Sequence, residues 1–258
     1  MRLLLIRHGD PDYEHDCLTE RGRIEAAALA EYLRGERLDY IYVSPLGRAQ
    51  ETADYTLRAT GRTAVTLEWL REFPAKVDVN DSPVLQEAFP DTRRLTDGTF
   101  CHRIAWDMLP RFYYASSDYH TEHGWRRSEV ARCSDMEAVY ERVCRGLDEL
   151  LSSHGYVRQQ DGHYRAERNN DDTLALFCHF GLTGVLLSHL WGVSPFVLWH
   201  GTAALPTSVT ELYTEEREKG IAMWRCTRFG DCSHLYAAGI EPSFSARFCE
   251  RFEDDTLH

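Results

Sequence analysis

Short apolar runs of strand length alternate with longer amphipathic stretches along this 258-residue chain, and this alternation most constrains its fold. The runs predicted to be strands include 2–8, 38–43, 63–69 and 173–180, and the first and last of these are predicted to be buried. Stretches with helical spacing lie between and after them, beginning near Thr19, Ser44, Ser134 and Leu182. In the second of these, Ser44 is predicted to be the N-cap and Pro45 the first helical residue. Strands separated by helices pair in parallel, and the helices cover the faces of the sheet. The pattern therefore predicts an α/β fold, a three-layer α/β/α arrangement with a mostly parallel sheet.

The segment from about 74 to 133 interrupts this alternation. It contains several prolines and many aromatic residues, and it has no clear strand pattern. A flexible linker would not carry so much apolar area, since linkers are polar or rich in glycine and proline. We therefore predict a single domain over 1–258 with a helical insertion at 74–133.

The charge and the cysteine pattern limit the partners and the location of the protein. The chain has 29 Lys+Arg against 41 Asp+Glu, a formal net charge of −12, which disfavours nucleic acid or an anionic membrane as partners. No apolar run approaches the ~20 residues that a bilayer span requires, and the first apolar run is interrupted at Arg7. The eight cysteines form no CxxC pair, which is typical of a reduced intracellular protein. We expect a cytoplasmic location, and the oligomeric state stays open.

Basic side chains and glycines cluster where the predicted strands end. They are Arg7, His8, Gly9, Arg48, His179 and Gly181. Open α/β sheets bind ligands beyond the carboxyl ends of their strands, and glycine lets the backbone approach a ligand closely. Arg48 is predicted to lie in the first turn of a helix, where N–H groups already favour an anion and a guanidinium adds two donors. Each residue alone is more often structural or solvated, but together they indicate a phosphate pocket.

The motifs around these residues resemble those of the histidine phosphatase superfamily. They are Leu5-Ile6-Arg7-His8-Gly9, Leu18-Thr19-Glu20-Arg21-Gly22, Val43-Ser44-Pro45-Leu46-Gly47-Arg48-Ala49-Gln50-Glu51-Thr52-Ala53 and Cys178-His179-Phe180-Gly181. The resemblance covers about 1–73 and 134–240. It implies a phosphoglycerate-mutase-like fold, in which the segment at 74–133 corresponds to the variable cap insertion that selects the substrate.

The resemblance also implies roles for individual residues. His8 would be the nucleophile and form a phosphohistidine, while Arg7, Arg48 and His179 would hold the phosphoryl oxygens. Gly9 and Gly181 would border the same pocket. Glu72 would donate the proton to the leaving group, with Glu68 as the second choice. The resemblance implies no metal and no cofactor.

The expected activity is metal-independent hydrolysis of a phosphate monoester, as in a histidine acid-type phosphatase acting on a small phosphorylated metabolite. Two alternatives stay open, a cofactor-dependent phosphoglycerate mutase and an inactive phospho-ligand-binding regulatory module. Three departures from the family bear on them. Residues 10–16 are short and acidic and lack the phosphate-binding asparagine of many members; Phe180 separates His179 from Gly181; and the sequence that follows the acid in mutases is missing.

Overall fold

The computed structural model describes residues 1–245, and their strands and helices alternate along much of the chain. The strands are β1 (Arg2–Arg7), β2 (Pro11–Asp12), β3 (Cys17–Leu18), β4 (Tyr40–Val43), β5 (Val65–Thr66), β6 (Lys76–Val77), β7 (Arg103–Ile104), β8 (Tyr156–Arg158), β9 (Tyr164–Ala166), β10 (Thr173–Cys178), β11 (Val209–Glu218) and β12 (Ile221–Asp231). The helices are α1 (Glu20–Arg34), α2 (Gly47–Thr60), α3 (Pro83–Ala88), α4 (Pro110–Ala115), α5 (Glu129–Arg132), α6 (Met136–Ser153), α7 (Phe180–Trp191), α8 (Pro195–Gly201) and α9 (Ser233–Ala237). Short 3₁₀ turns lie at Glu68–Leu70, Ala105–Asp107, Ser117–His120 and Gly124–Arg127.

The chain forms two compact units. The first contains Met1–Glu72, Leu151–Thr183 and the described residues from Ala203 onward, and it holds the large sheet. The second contains Phe73–Leu150 and Gly184–Thr202. Among residues 1–245, no helix combines the length and apolar character needed to cross a bilayer.

The large sheet has eight strands in the order β5-β4-β10-β1-β11-β12-β9-β8. Strands β5, β4, β10 and β1 pair in parallel, whereas β11, β12, β9 and β8 continue the sheet with antiparallel neighbours. The predicted α/β fold class is confirmed, with a mixed sheet. The antiparallel half follows from its connections, because β11 and β12 are joined by the tight turn at Lys219-Gly220 and short turns join antiparallel strands.

The two central strands are apolar along nearly their whole length. β10 is buried at every position, and β1 is buried from Leu3 to Arg7. Strands covered on both faces have this near-continuous apolar composition. The two strands pair in parallel with Arg7 opposite Cys178. This register brings the residues that follow them, His8 and His179, to the same edge of the sheet.

Helix α1 begins where the sequence predicts. Thr19 is its N-cap, and the Thr19 side chain accepts a hydrogen bond from the Gly22 backbone N–H. Its buried face, which includes Leu29 and Leu33, joins a core cluster with Ile6 and other residues of the sheet and of α2. Helix α1 is therefore held against the first unit by apolar burial.

Gly22 in the first turn of α1 is predicted to tolerate no side chain. A Cβ at this position would collide with the backbone oxygen of Asp10, which cannot move away independently of its strand-end loop. We expect Gly22→Ala to lower the free energy of unfolding by about 1–3 kcal/mol, the usual effect of overpacking. Chemical denaturation measures this change. Gly35→Ala, at the other end of the same helix, is the matched control: its φ is −80° and its nearest contact is 3.7 Å away, so its unfolding free energy should not fall.

Two local predictions are wrong. Ser44-Pro45 does not start a helix, because Leu46 is the N-cap of α2 and the helix begins at Gly47. The strand predicted over 63–69 is limited to β5, since a 3₁₀ turn at Glu68–Leu70 follows it directly.

The second unit is mainly helical and contains most of the predicted insertion. The insertion also contains a strand pair that its sequence does not indicate, in which Lys76 pairs with Ile104 and Val77 with Arg103. Trp125 is fully buried in this unit and packs on Tyr140 of α6 with ring centroids 5.1 Å apart. At least one aromatic residue of the segment is therefore part of a buried core, where it packs on helix α6.

Candidate active site

The carboxyl ends of β1 and β10 and the first turn of α2 converge in the first unit. The rings of His8 and His179 lie with centroids 5.1 Å apart, and Arg48 Nε lies 3.3 Å from His8 Nε2. Arg7, His8 and His179 each expose 2% or less of their surface, and Arg48 exposes 8%. The structure therefore brings together, in one buried cluster, the four basic residues that the sequence singles out.

His8 presents one ring nitrogen toward this cluster. Its Nδ1 lies 2.7 Å from the backbone oxygen of Gly9, which is an acceptor, so Nδ1 carries the proton. Its Nε2 is then unprotonated, and its lone pair accepts the Arg48 Nε–H group. Burial, together with the charges of Arg7 and Arg48, holds the pKa of His8 well below its usual value. His8 is therefore a neutral imidazole with Nε2 available as a nucleophile.

Arg48 is oriented by the acidic hairpin that precedes α1. Asp16 accepts hydrogen bonds from Arg48 Nη1 at 2.5 Å and from the Gly47 backbone N–H at 2.7 Å. The Tyr13 ring lies 5.4 Å from the guanidinium carbon. Asp16 is thus an internal anion at the N-terminus of α2, where the sequence predicts an anion partner. The Arg48 edge that carries Nε is directed to His8.

Two buried nitrogens of the cluster have no hydrogen-bond partner. Arg7 donates from Nη1 to the Ala204 backbone oxygen at 2.6 Å, but its Nε–H is unsatisfied. His179 Nε2 lies 2.7 Å from Ser44 Oγ, whereas its Nδ1 has no partner. Burial and the nearby His8, Arg48 and Arg7 hold the pKa of His179 well below its usual value. An unpartnered buried polar group is costly, and the two that lie here beside the Arg48 guanidinium could both be satisfied by a bound anion.

The two predicted glycines lie at the edges of the cluster. The Gly9 N–H donates to Thr52 Oγ1 at 3.0 Å, and a Cβ at Gly9 would meet the Gly22 oxygen at 2.7 Å. Gly181 lies in the first turn of α7, directly after His179 and Phe180. Gly9 therefore lets the loop that carries His8 approach the backbone of α1 closely.

The two predicted carboxylates are placed differently. The Glu72 carboxylate accepts hydrogen bonds from the backbone N–H groups of Gly181, at 3.4 Å, and Leu182, at 3.0 Å, in the first turn of α7. Glu68 has 77% of its side chain exposed and pairs with Arg71 at 3.2 Å. The structure therefore brings Glu72, and not Glu68, into contact with the first turn of α7, which directly follows His179.

Sequence reasoning missed Asp16, Tyr13 and Thr52, and it misassigned Ser44 as a helix cap. The acidic composition of 10–16 was a signal, because an arginine at a helix N-terminus needs an anion beside it. That the anion comes from the chain itself is visible only in three dimensions. Within residues 1–245, no group of three or more His, Cys, Asp or Glu side chains is arranged to hold a metal ion.

His234 is a structural histidine near the cluster, and its buried state predicts an effect of pH on stability. Burial lowers its pKa to about 4, and its Nε2 contacts Thr207 Oγ1 at 3.2 Å. Because the unfolded state binds the proton more tightly, the stabilisation by His234 is complete above pH 6.5 and is lost as pH falls toward 4. We expect the stability deficit of His234→Gln relative to wild type to shrink by about 2 kcal/mol between pH 7 and pH 5. Urea denaturation at the two pH values measures it; a constant deficit would contradict the prediction.

Two arginines and two neutral histidines meet in a buried cluster at the strand ends of an α/β sheet. This is the arrangement expected of the anion-binding site of a phosphate-handling protein. Residues 3–93 match the family model of the histidine phosphatase superfamily (branch 1). The resemblance predicted from the motifs is therefore confirmed. A comparison with curated protein sequences found no match.

Solved structures with similar folds cover most of the chain. A phosphoserine phosphatase variant from Entamoeba histolytica, solved with phosphoserine, is 18% identical over 91% of this chain and 98% of its own, with a TM-score of 0.57. A mycobacterial glucosyl-3-phosphoglycerate phosphatase, solved with inorganic phosphate, is 21% identical over 90% of this chain and 98% of its own, also at 0.57. The α-ribazole phosphatase from Shigella flexneri is 19% identical over 88% and 95%, at 0.51. These likenesses establish a shared fold.

Proposed function

We propose that this protein is a metal-independent phosphohydrolase that acts on phosphate monoesters through a phosphohistidine at His8. The observation that carries the proposal is the combination, in one buried cluster, of an unprotonated His8 Nε2 with two nitrogens that have no hydrogen-bond partner, Arg7 Nε and His179 Nδ1, the second taken here as protonated. A phosphoryl group beside Nε2 would satisfy both donors. The proposed substrate is a small phosphorylated metabolite, consistent with the phosphatases that share the fold.

In the first step, His8 Nε2 attacks phosphorus, and the bond from phosphorus to the ester oxygen breaks. Arg7, Arg48 and His179 donate hydrogen bonds to the phosphoryl oxygens, which neutralises the charge spread over the transition state. The leaving alkoxide takes a proton from Glu72 and departs as an alcohol. The burial of the cluster strengthens these electrostatic interactions, because the local dielectric is lower than that of water.

In the second step, water attacks the phosphohistidine. Glu72, now ionised, takes a proton from this water, and inorganic phosphate leaves with His8 regenerated. The position of the Glu72 carboxylate next to the Gly181 N–H supports this double role, since it lies beside the same loop as His179. We assign substrate choice to the insertion at 74–133, as the family resemblance implies, and we expect the protein to act in the cytoplasm.

Hydrolysis of 4-nitrophenyl phosphate and of a panel of phosphometabolites, each in excess EDTA, tests the activity. We expect release of inorganic phosphate that EDTA does not reduce. Inactivity of the wild-type protein toward the whole panel would refute the hydrolase proposal.

The same experiment separates the two alternatives. A cofactor-dependent phosphoglycerate mutase would require a bisphosphorylated primer and would isomerise phosphoglycerate without releasing phosphate in stoichiometric amounts. An inactive phospho-ligand-binding module would bind phosphate esters without turnover. The presence of His8, Arg48, His179 and Glu72 together favours an active enzyme, because a binding module does not need a nucleophile and a proton donor as well as an anion-binding site.

A further inference from the structure

Ser44 contacts the cluster, but the proposed reaction gives it no part. It is fully buried, and its Oγ lies 2.7 Å from His179 Nε2. The sheet holds the two residues in place: β4 pairs with β10, and the Ser44 N–H donates to the Phe177 backbone oxygen at 2.9 Å. The contact is therefore fixed by backbone pairing and not by a flexible side chain.

The hydrogen bonds around Ser44 indicate which group donates. Ser44 Oγ accepts the Leu46 backbone N–H at 3.2 Å, which leaves its O–H group to be used. If the O–H donates to His179 Nε2, every group of Ser44 has a partner and the ring proton lies on Nδ1. If instead Nε2–H donates to Ser44, the hydroxyl proton has no acceptor among the described residues. The first arrangement is better satisfied.

We propose that Ser44 is a positioning residue that holds His179 as the Nδ1–H tautomer, so that an N–H donor faces the anion-binding site. The consequence for the reaction rests on the proposed function, whereas the tautomer itself does not. Burial and neighbouring cations keep the pKa of His179 low, so the ring is neutral and only one of its nitrogens carries a proton. With the opposite tautomer, a lone pair on Nδ1 would face the phosphoryl oxygens and repel them.

Nitrogen-15 spectra of histidine-labelled protein test the tautomer directly. Multiple-bond proton–nitrogen correlations distinguish a protonated Nδ1 from a protonated Nε2, and the His179 signals are those lost in His179→Gln. We expect an Nδ1–H ring in the wild type and a shift toward Nε2–H, or a mixture, in Ser44→Ala. Ser44→Thr keeps a hydroxyl and should restore the wild-type pattern.

Activity supplies a second measurement. Removing one oriented donor from a transition state costs about 10²–10³ in kcat, and partial loss of the tautomer should cost about 10- to 100-fold in kcat/KM. Ser208→Ala is the matched control, because Ser208 is also a buried serine of the first unit and its Oγ has no hydrogen-bond partner. It should leave both the spectrum and the activity unchanged.

An Nε2–H ring in the wild type, or an unchanged ring in Ser44→Ala, would overturn the proposal. The nitrogen-15 spectra can be recorded without any catalytic turnover. Failure of the Ser44 proposal can therefore be distinguished from failure of the proposed hydrolase function. If the tautomer is as expected but no phosphate ester is hydrolysed, the proposed function fails and the role of Ser44 in setting the tautomer stands.

Discussion

Replacement of His8 by alanine is expected to lower kcat by at least about 10⁴-fold, as loss of a covalent nucleophile does in other enzymes. The physical reason is that His8 Nε2 is an unprotonated imidazole nitrogen within the cluster, since Nδ1 carries the ring proton. Arg7, Arg48 and His179 remain, so binding of inorganic phosphate should persist, and thermal unfolding with increasing phosphate should still show stabilisation. Steady-state hydrolysis of 4-nitrophenyl phosphate measures the loss.

His154→Ala is the matched control for this prediction. His154 is likewise a buried histidine of the first unit, but it contacts the Tyr42 hydroxyl at 2.9 Å, away from the cluster. Its replacement should leave kcat near the wild-type value.

Rapid acid-free quenching should also trap an acid-labile phosphoryl group on wild-type protein and not on His8→Ala. Retention of kcat within tenfold in His8→Ala, or a phosphoryl group on another residue, would refute the phosphohistidine mechanism.

Replacement of Glu72 by glutamine is expected to lower kcat by about 10²–10⁴-fold for an alkyl phosphate. Glutamine cannot donate the proton that an alkoxide needs, but its amide oxygen can still accept the Leu182 N–H that the carboxylate accepts in the wild type. The contrast between substrates should appear in kcat/KM, which reports phosphoryl transfer and not the later hydrolysis of the phosphohistidine that both substrates share. With 4-nitrophenyl phosphate the loss in kcat/KM should be much smaller than with the alkyl phosphate, because nitrophenolate leaves without protonation. The ratio of the two losses is therefore the diagnostic measurement.

Glu68→Gln is the control for the proton donor. Glu68 is mostly exposed and paired with Arg71, so this variant should hydrolyse both substrates at the wild-type rate. Equal losses for alkyl and aryl phosphates in Glu72→Gln would mean that Glu72 holds the α7 N-terminus in place and does not donate a proton. A large loss in Glu68→Gln confined to the alkyl phosphate would transfer the role to Glu68.

Much of the fold was predictable because it depends on local patterns. The apolar composition of β1 and β10 follows from their burial on both faces, and the Thr19 cap follows from the N–H groups that a helix leaves unsatisfied. The start of α2 was not predictable in this way. Ser44-Pro45 has the composition of a helix start, but the Ser44 hydroxyl is used by His179, a partner 135 residues away.

The sequence by itself determined which residues are chemically suited to the site: Arg7, His8, Arg48 and His179 stand out because basic groups at strand ends are costly unless an anion meets them. Only the tertiary structure decided their geometry. The parallel register of β1 with β10 brings the two histidines side by side, Asp16 fixes Arg48, and the first turn of α7 contacts Glu72 and not Glu68. These outcomes depend on contacts between residues far apart in the chain, and such contacts follow from packing and hydrogen-bond satisfaction that no local pattern encodes.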